Sequence, residues 1–257
     1  MDLELAGKVV LVTGGSDGLG LALATRLAGE GASVAICGRD EERLRAAESS
    51  LAQDGADVVA VRADVSVAGD LAAFADAAAA RWGRIDGVVH NAGRAAAGPL
   101  ESIDDENWES DVQLKLMAAV RLTRLTLPHL RARGGAVLFT LATAAKAPGG
   151  ASEPSSVTRA AGMALMKALS KELASDGIRV NAVLIGLIES GQWRRRAASE
   201  VELEEFYERF AKDAAIPLGR FGRAEEFADL GCYLLSARAS YVTGTAINLD
   251  GGLSPVV

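Results

Sequence analysis

The chain has 257 residues, 49% of them hydrophobic, enough for the core of one large α/β domain. Its net charge of −7 and pI near 5.0 argue against nucleic acid or an anionic membrane as the main partner. No apolar run reaches the roughly 18 residues of a membrane-spanning helix. The acidic opening Met1-Asp2-Leu3-Glu4-Leu5 also lacks a basic signal-peptide region, so the expected location is cytoplasmic.

Val9-Val10-Leu11-Val12 is a short, mostly β-branched run of the kind found in buried strands. Thr13-Gly14-Gly15-Ser16-Asp17-Gly18-Leu19-Gly20 follows as a Gly-rich turn, and the pattern to Leu27 is helical. Strand, Gly turn and helix open a dinucleotide-binding unit. Gly14 supplies the tight turn, Gly18 lets backbone approach a pyrophosphate, and Gly20 lets the helix lie close on the strand. The helix start offers unpaired N–H groups and a positive dipole end to the phosphates. The spacing Thr-Gly-x-x-x-Gly-x-Gly resembles the short-chain dehydrogenase/reductase family, and the resemblance runs along nearly the whole chain. Strand and helix patterns alternate to the end, which predicts a doubly wound, Rossmann-like sheet of seven parallel strands with helices on both faces. A single domain over 1–257 is expected.

The second strand, Ser33 to Cys37, runs into Gly38-Arg39-Asp40. NAD-dependent enzymes of this fold place a carboxylate at the end of this strand for the ribose 2′-OH. Here Gly38 takes that place, and the Arg39 guanidinium is suited to a 2′-phosphate. NADP(H) is therefore expected rather than NAD(H); the simpler reading of Arg39 is a solvated partner of Glu41 or Glu42. Asp40 has the position of a helix cap. Cys37 lies in the strand and reads as a reduced core thiol. The third strand, Val58 to Arg62, ends before Asp64-Val65, which the resemblance places along the adenine; Asp64 also reads as a helix cap. The fourth strand, Gly87 to His90, leads into Asn91-Ala92-Gly93, which the resemblance places beside the cofactor. His90 reads as structural.

Two long helices are expected, from about Trp108 to Leu130 and from about Ser155 to Ser175. Their apolar faces are broad. The resemblance implies that they pair with their copies in a homodimer or homotetramer; the alternative is packing on the sheet alone. Ile178 to Gly186 reads as the sixth strand and Val242 to Gly252 as the seventh, with a last helix from Arg223 to Ser236. Between them, Ile188 and Ser190 match positions facing a nicotinamide carboxamide. Residues 191–215 match the family's variable substrate lid.

The resemblance breaks at the catalytic positions. The family uses an Asn on the fourth helix, a Ser after the fifth strand, a Tyr thirteen residues beyond it and a Lys four further on. Counting back without a gap from Lys171 to Asn181 puts Ser155 at the Tyr position, Arg159 at the Lys position and Ala142 at the Ser position, and Trp108 and Leu122-Thr123-Arg124 put Lys115 at the Asn position. Arg159 cannot relay a proton as a lysine does, but it can hold ribose hydroxyls. Thr140 and Thr143 are the nearest replacement hydroxyls for Ala142. Of the three tyrosines, Tyr233 and Tyr241 lie in apolar segments and read as core; Tyr207, in the lid, is the one placed to swing in. Losing a positioned general acid costs about 10²–10⁴-fold in rate, so hydride transfer would need another acid. Asp111, one turn before Lys115, is placed to neutralise it. Failing that, Lys115 and Arg159 together favour a small-molecule substrate with an anionic group. Three functions fit these residues: an NADP(H)-dependent oxidoreductase with an atypical site, a nucleotide-binding partner subunit without turnover, and a non-redox enzyme on the same scaffold. No metal is expected.

Overall fold

In the computed structural model, which describes residues 2–53, 55–194 and 200–257, seven strands form one parallel sheet. They are β1 (Val9–Thr13), β2 (Ser33–Gly38), β3 (Val58–Arg62), β4 (Gly87–His90), β5 (Gly135–Ala142), β6 (Ile178–Ile185) and β7 (Ala246–Leu249). Their order across the sheet is 3-2-1-4-5-6-7. All five residues of β1 are buried, as a strand covered on both faces requires.

The helices form two layers. α1 (Gly18–Gly29), α2 (Glu41–Gln53) and α9 (Ala224–Leu235) cover one face, burying Leu23, Leu27, Leu44, Leu51 and Phe227. α3 (Ala68–Trp82), α5 (Ala118–Arg133) and α6 (Ser155–Glu172) cover the other around Phe74, Leu122, Leu130, Phe139 and Met166. Two further helices, α7 (Gly191–Arg194) and α8 (Glu200–Asp213), stand between β6 and α9. Residues 195–199 of the expected lid lie outside the described residues. The last helix lies one residue inside the expected bounds at each end, which are its caps, with Arg223 N–H donating to Glu226 Oε2 at 2.7 Å to close its first turn. Asp40 caps α2 through the Arg43 N–H at 3.0 Å.

The first long helix is not one regular rod. α4 (Asp105–Val112) passes through a π turn, Gln113–Met117, into α5. Leu114, Met163, Leu165 and Leu169 pack on the core, so part of the broad apolar surface of the long helices serves the sheet. Leu125 and Val157 on their outer faces stay exposed.

Two expectations are corrected. The seventh strand is only four residues long, because its predicted ends are turns: Gly244 and Gly251 have left-handed φ of 71° and 63°, and Asp250 Oδ1 accepts from Gly252 N at 2.9 Å. Tyr233 and Tyr241 are not core; they are 36% and 102% exposed. Their apolar neighbours bury a different side of the chain.

Candidate active site

Strand order reverses between β1 and β4, and ligands of doubly wound sheets bind at the carboxyl end of the strands at such a point. A cleft of about 840 Å³ opens there. The loop after β1 lines it with Gly14, Ser16, Asp17, Gly18 and Leu19. Gly14 has a left-handed φ of 66°, and a Cβ on Gly20 would fall 2.2 Å from Gly14 O. Gly20 is thus the close-packing glycine beneath the loop rather than part of the cleft wall.

The loop is tied to β4. Asn91 Nδ2 donates to Thr13 O at 2.9 Å, and Thr13 Oγ1 accepts from the N–H groups of Asn91 and Ala92 at 2.9 and 3.0 Å. Asn91, Ala92 and Gly93 all line the cleft, as do Asp64 and Val65. Asp64 Oδ1 also accepts from Ser66 N at 2.9 Å, but this closes a turn: the helix that follows is capped at Val67, so Asp64 is not the helix cap expected of it. Arg39 lines the cleft and lies 3.8 Å from Asp64 in a mostly exposed, loose pair. A Cβ on Gly38 would fall 2.5 Å from Ser16 Oγ, so Ser16 occupies the space a side chain at 38 needs. Arg43, which sequence reasoning missed, adds a second guanidinium to this end, 2.8 Å from Asp40 and 3.7 Å from Asp17. Ile188 and Ser190 also line the cleft, Ser190 close to Gly18, and the Asp17 carboxylate lies against Gly191 where α7 begins.

The four residues that the sequence count assigns to the catalytic positions converge. Ala142, Ser155 and Arg159 line the cleft. Lys115 does not; its side chain is 2% exposed and sits behind Ser155, with Nζ donating to Ser155 Oγ at 2.7 Å. Nor does it stand as an uncompensated cation. Asp111 Oδ1 is 2.6 Å from Nζ, and Thr158 Oγ1 donates to Asp111 Oδ2 at 2.7 Å. Burial pushes the Lys115 ammonium down to about 8, against the pull of Asp111. Ser155 Oγ accepts a second hydrogen bond, from Ala96 N at 3.0 Å. Arg159 donates to Thr140 O, and its guanidinium lies so close to Gly93 that a Cβ there would be 2.9 Å from one of its nitrogens. Burial lowers the Arg159 pKa, with Asp111 opposing.

Of the replacement hydroxyls, Thr140 lines the cleft and Thr143 does not. Tyr207 is packed against Phe221, ring centroids 4.7 Å apart, in a small core with Ala211 and Ile216, and no tyrosine is among the described residues lining the cleft. His90 is structural: a ring nitrogen is 2.8 Å from Thr123 Oγ1, the ring tilts on Phe139, and burial pushes its pKa down to about 3. Cys37 is free and buried.

A family model described as enoyl-(acyl carrier protein) reductase matches residues 14–254. The putative ketoacyl reductase of the monensin polyketide synthase of Streptomyces virginiae is 37% identical over 97% of this chain and 98% of its own. The NADPH-bound short-chain oxidoreductase of Pseudomonas aeruginosa PAO1, which contains an atypical catalytic center, superimposes with a TM-score of 0.92 at 39% identity, over 97% of this chain and 98% of that one. L-Sorbose reductase of Gluconobacter frateurii, complexed with NADPH and L-sorbose, gives a TM-score of 0.95 at 34% identity over the full length of both. Fold, Gly-rich loop and matched length agree: the chain belongs to the short-chain dehydrogenase/reductase family of oxidoreductases.

Proposed function

We propose that this chain is an NADP(H)-dependent oxidoreductase that interconverts a small carbonyl compound and its alcohol, with Lys115 and Ser155 together in place of the missing tyrosine. The observation that carries this reading is the 2.7 Å hydrogen bond from Lys115 Nζ to Ser155 Oγ at the cleft wall. The similar proteins support it, two being reductases and one an oxidoreductase by name, two of them with NADPH bound.

The cleft fits the cofactor. Gly14, Ser16, Gly18 and Leu19 would take the pyrophosphate, Arg39 the 2′-phosphate, Asp64 and Val65 the adenine. Asn91, Ala92, Gly93 and Arg159 would hold the nicotinamide ribose, and Ile188 and Ser190 the carboxamide. A nicotinamide bound there supplies the hydride. The chain supplies the proton. Ser155 Oγ–H donates to the carbonyl oxygen, and the Lys115 ammonium re-protonates Ser155 through their shared hydrogen bond. A lysine held near 8 is charged at neutral pH yet close enough to it to release a proton, which is what a general acid requires. Asp111 and Thr158 fix the lysine in that geometry. Since Asp111 neutralises Lys115, Arg159 is the one of the two left to attract an anionic group on the substrate. α7 and α8, the described parts of the expected lid, would cover the substrate.

The test is NADPH oxidation over a panel of carbonyl compounds, with and without carboxylate groups. The wild-type chain should turn over, Ser155→Ala should lose about 10²–10⁴-fold, and Ala142→Ser/Ser155→Tyr/Arg159→Lys should restore activity by the ordinary route. Equal rates for wild type and Ser155→Ala would refute the proton path. Turnover by the triple variant alone would refute the enzymatic reading.

A further inference from the structure

Ser155 Oγ is an unusual hydroxyl apart from any role in reduction. It accepts from Lys115 Nζ at 2.7 Å and from Ala96 N at 3.0 Å. Two donors thus converge on one oxygen, in a residue that lines the cleft. Ser155 is also the first residue of the 18-residue helix α6, whose positive end adds to the same potential. All three influences favour the alkoxide. Arg159 stands one turn later on the same helix face and lines the same cleft. No carboxylate among the described residues forms an ion pair with it, so its remaining N–H donors are available to a developing oxyanion. Nucleophile, base and oxyanion donor are the minimal set for acyl transfer, and serine–lysine pairs are an attested form of it.

We propose that the chain has a second activity, the hydrolysis of small carboxylic esters through an acyl-Ser155 intermediate, with Lys115 as base and Arg159 as oxyanion donor. Neutral Lys115 Nζ takes the Ser155 hydroxyl proton as Oγ bonds to the ester carbonyl carbon, and the carbonyl π pair moves onto oxygen within reach of Arg159. Collapse re-forms the carbonyl and breaks the bond to the alcohol oxygen, which leaves with the proton held on Lys115. A water molecule then gives a proton to Lys115 and attacks the acyl-serine. The carboxylic acid departs as Ser155 Oγ regains the proton from Lys115. Ester and water become acid and alcohol, with no change of oxidation state.

The charged groups around Lys115 are Asp111 on its own helix, Arg159 on α6 and Arg94 in the loop after β4, and the nearby His90 is neutral at any pH of interest. Asp111 pulls against the other influences, yet the lysine still titrates near 8. Hydrolysis therefore rises with pH to a plateau above about 8, whereas the reduction needs the same lysine protonated and falls over that range. The opposite slopes separate the two activities.

The experiment uses the full chain without any nicotinamide and p-nitrophenyl acetate as the probe. Nitrophenolate release is followed in time, and the acetylated residue is located by fragmentation mass spectrometry. The expected result is a burst with one acetyl group on Ser155, lost in Ser155→Ala, kept in Ser156→Ala and slowed about 100-fold in Lys115→Met/Asp111→Asn, the charge-neutral variant chosen to preserve the fold. Thermal melting of each variant checks that it is folded. Acetyl groups only on other residues, a burst that survives in Ser155→Ala, or no burst at pH 9 would overturn the proposal. NADPH turnover measured separately leaves the reductase reading standing or falling by itself.

Discussion

Lys115→Met tests the buried ion pair most directly. Asp111 is fully buried and Lys115 nearly so, with 2.6 Å between them. Removing the lysine leaves the carboxylate with Thr158 as its one hydrogen-bond donor at 2.7 Å, and breaking a buried pair in this way costs about 3–5 kcal/mol. Lys115→Met/Asp111→Asn removes both charges and should recover most of that loss. The lysine also leaves a pH signature. Folded, it gives up its proton near 8; unfolded, it keeps it to about 10.4. Between those values the unfolded chain binds more protons, so wild-type stability rises with pH, by about 1.4 kcal/mol per unit and about 3 kcal/mol in all. Below 8 both states are protonated and this contribution to the slope vanishes. Urea unfolding followed by tryptophan fluorescence at pH 7, 8, 9 and 10 measures both effects. The reasoning fails if the double variant is no more stable than Lys115→Met, or if the gap between wild type and double variant stays flat from pH 8 to 10.

Acid should destabilise the fold through His90. Its pKa is near 3 when folded and about 6.5 when unfolded, so the unfolded state takes up the proton first as pH falls, and stability drops by up to about 1.4 kcal/mol per unit below 6.5. The stability advantage of wild type over His90→Gln should shrink by about 2 kcal/mol between pH 7 and pH 5 in denaturant titrations. Arg39→Ala should remove about 1.5–3 kcal/mol of the preference for NADPH over NADH, read by calorimetric titration of both; unchanged affinities would exclude Arg39 from the phosphate site. Assembly as a homodimer or homotetramer should bury the exposed Leu125 and Val157, and light scattering should show Leu125→Glu/Val157→Glu as monomers. A wild-type chain that is already monomeric at micromolar concentration removes that expectation.

The fold was legible because its signals are local. Uninterrupted apolar runs such as Val9 to Val12 mark two-sided burial, the left-handed glycines at 14 and 18 shape the turn, and Gly20 leaves room for the helix beneath it. The convergence of Ala142, Ser155, Arg159 and Lys115 was legible through the family resemblance, whose pattern the count was registered on. The wiring between them was only half so. Asp111–Lys115 follows from helical periodicity, but Thr158 to Asp111 spans 47 residues and Ala96 to Ser155 spans 59, and no periodic pattern announces either contact. The same count placed Lys115 in the site without showing that Ser155 stands between it and the cleft. The exposed tyrosines misled because an apolar segment does not say which of its sides faces water.

The π turn at Gln113–Met117 puts one extra residue into the helix from Asp105 to Arg133. An α-helix advances about 100° per residue, and a π turn holds roughly one residue more per turn than an α turn does. The wide turn absorbs that extra residue, so the half that carries Asp111 and the half that carries Leu125 keep the faces they would have in a regular helix one residue shorter. What the insertion displaces is the turn itself, and Lys115 is one of its residues. Deleting one residue there would regularise the helix and leave Leu122 in the core, but would shift the side chain that meets Ser155. The helix can thus alter its inner chemistry without moving its outer face.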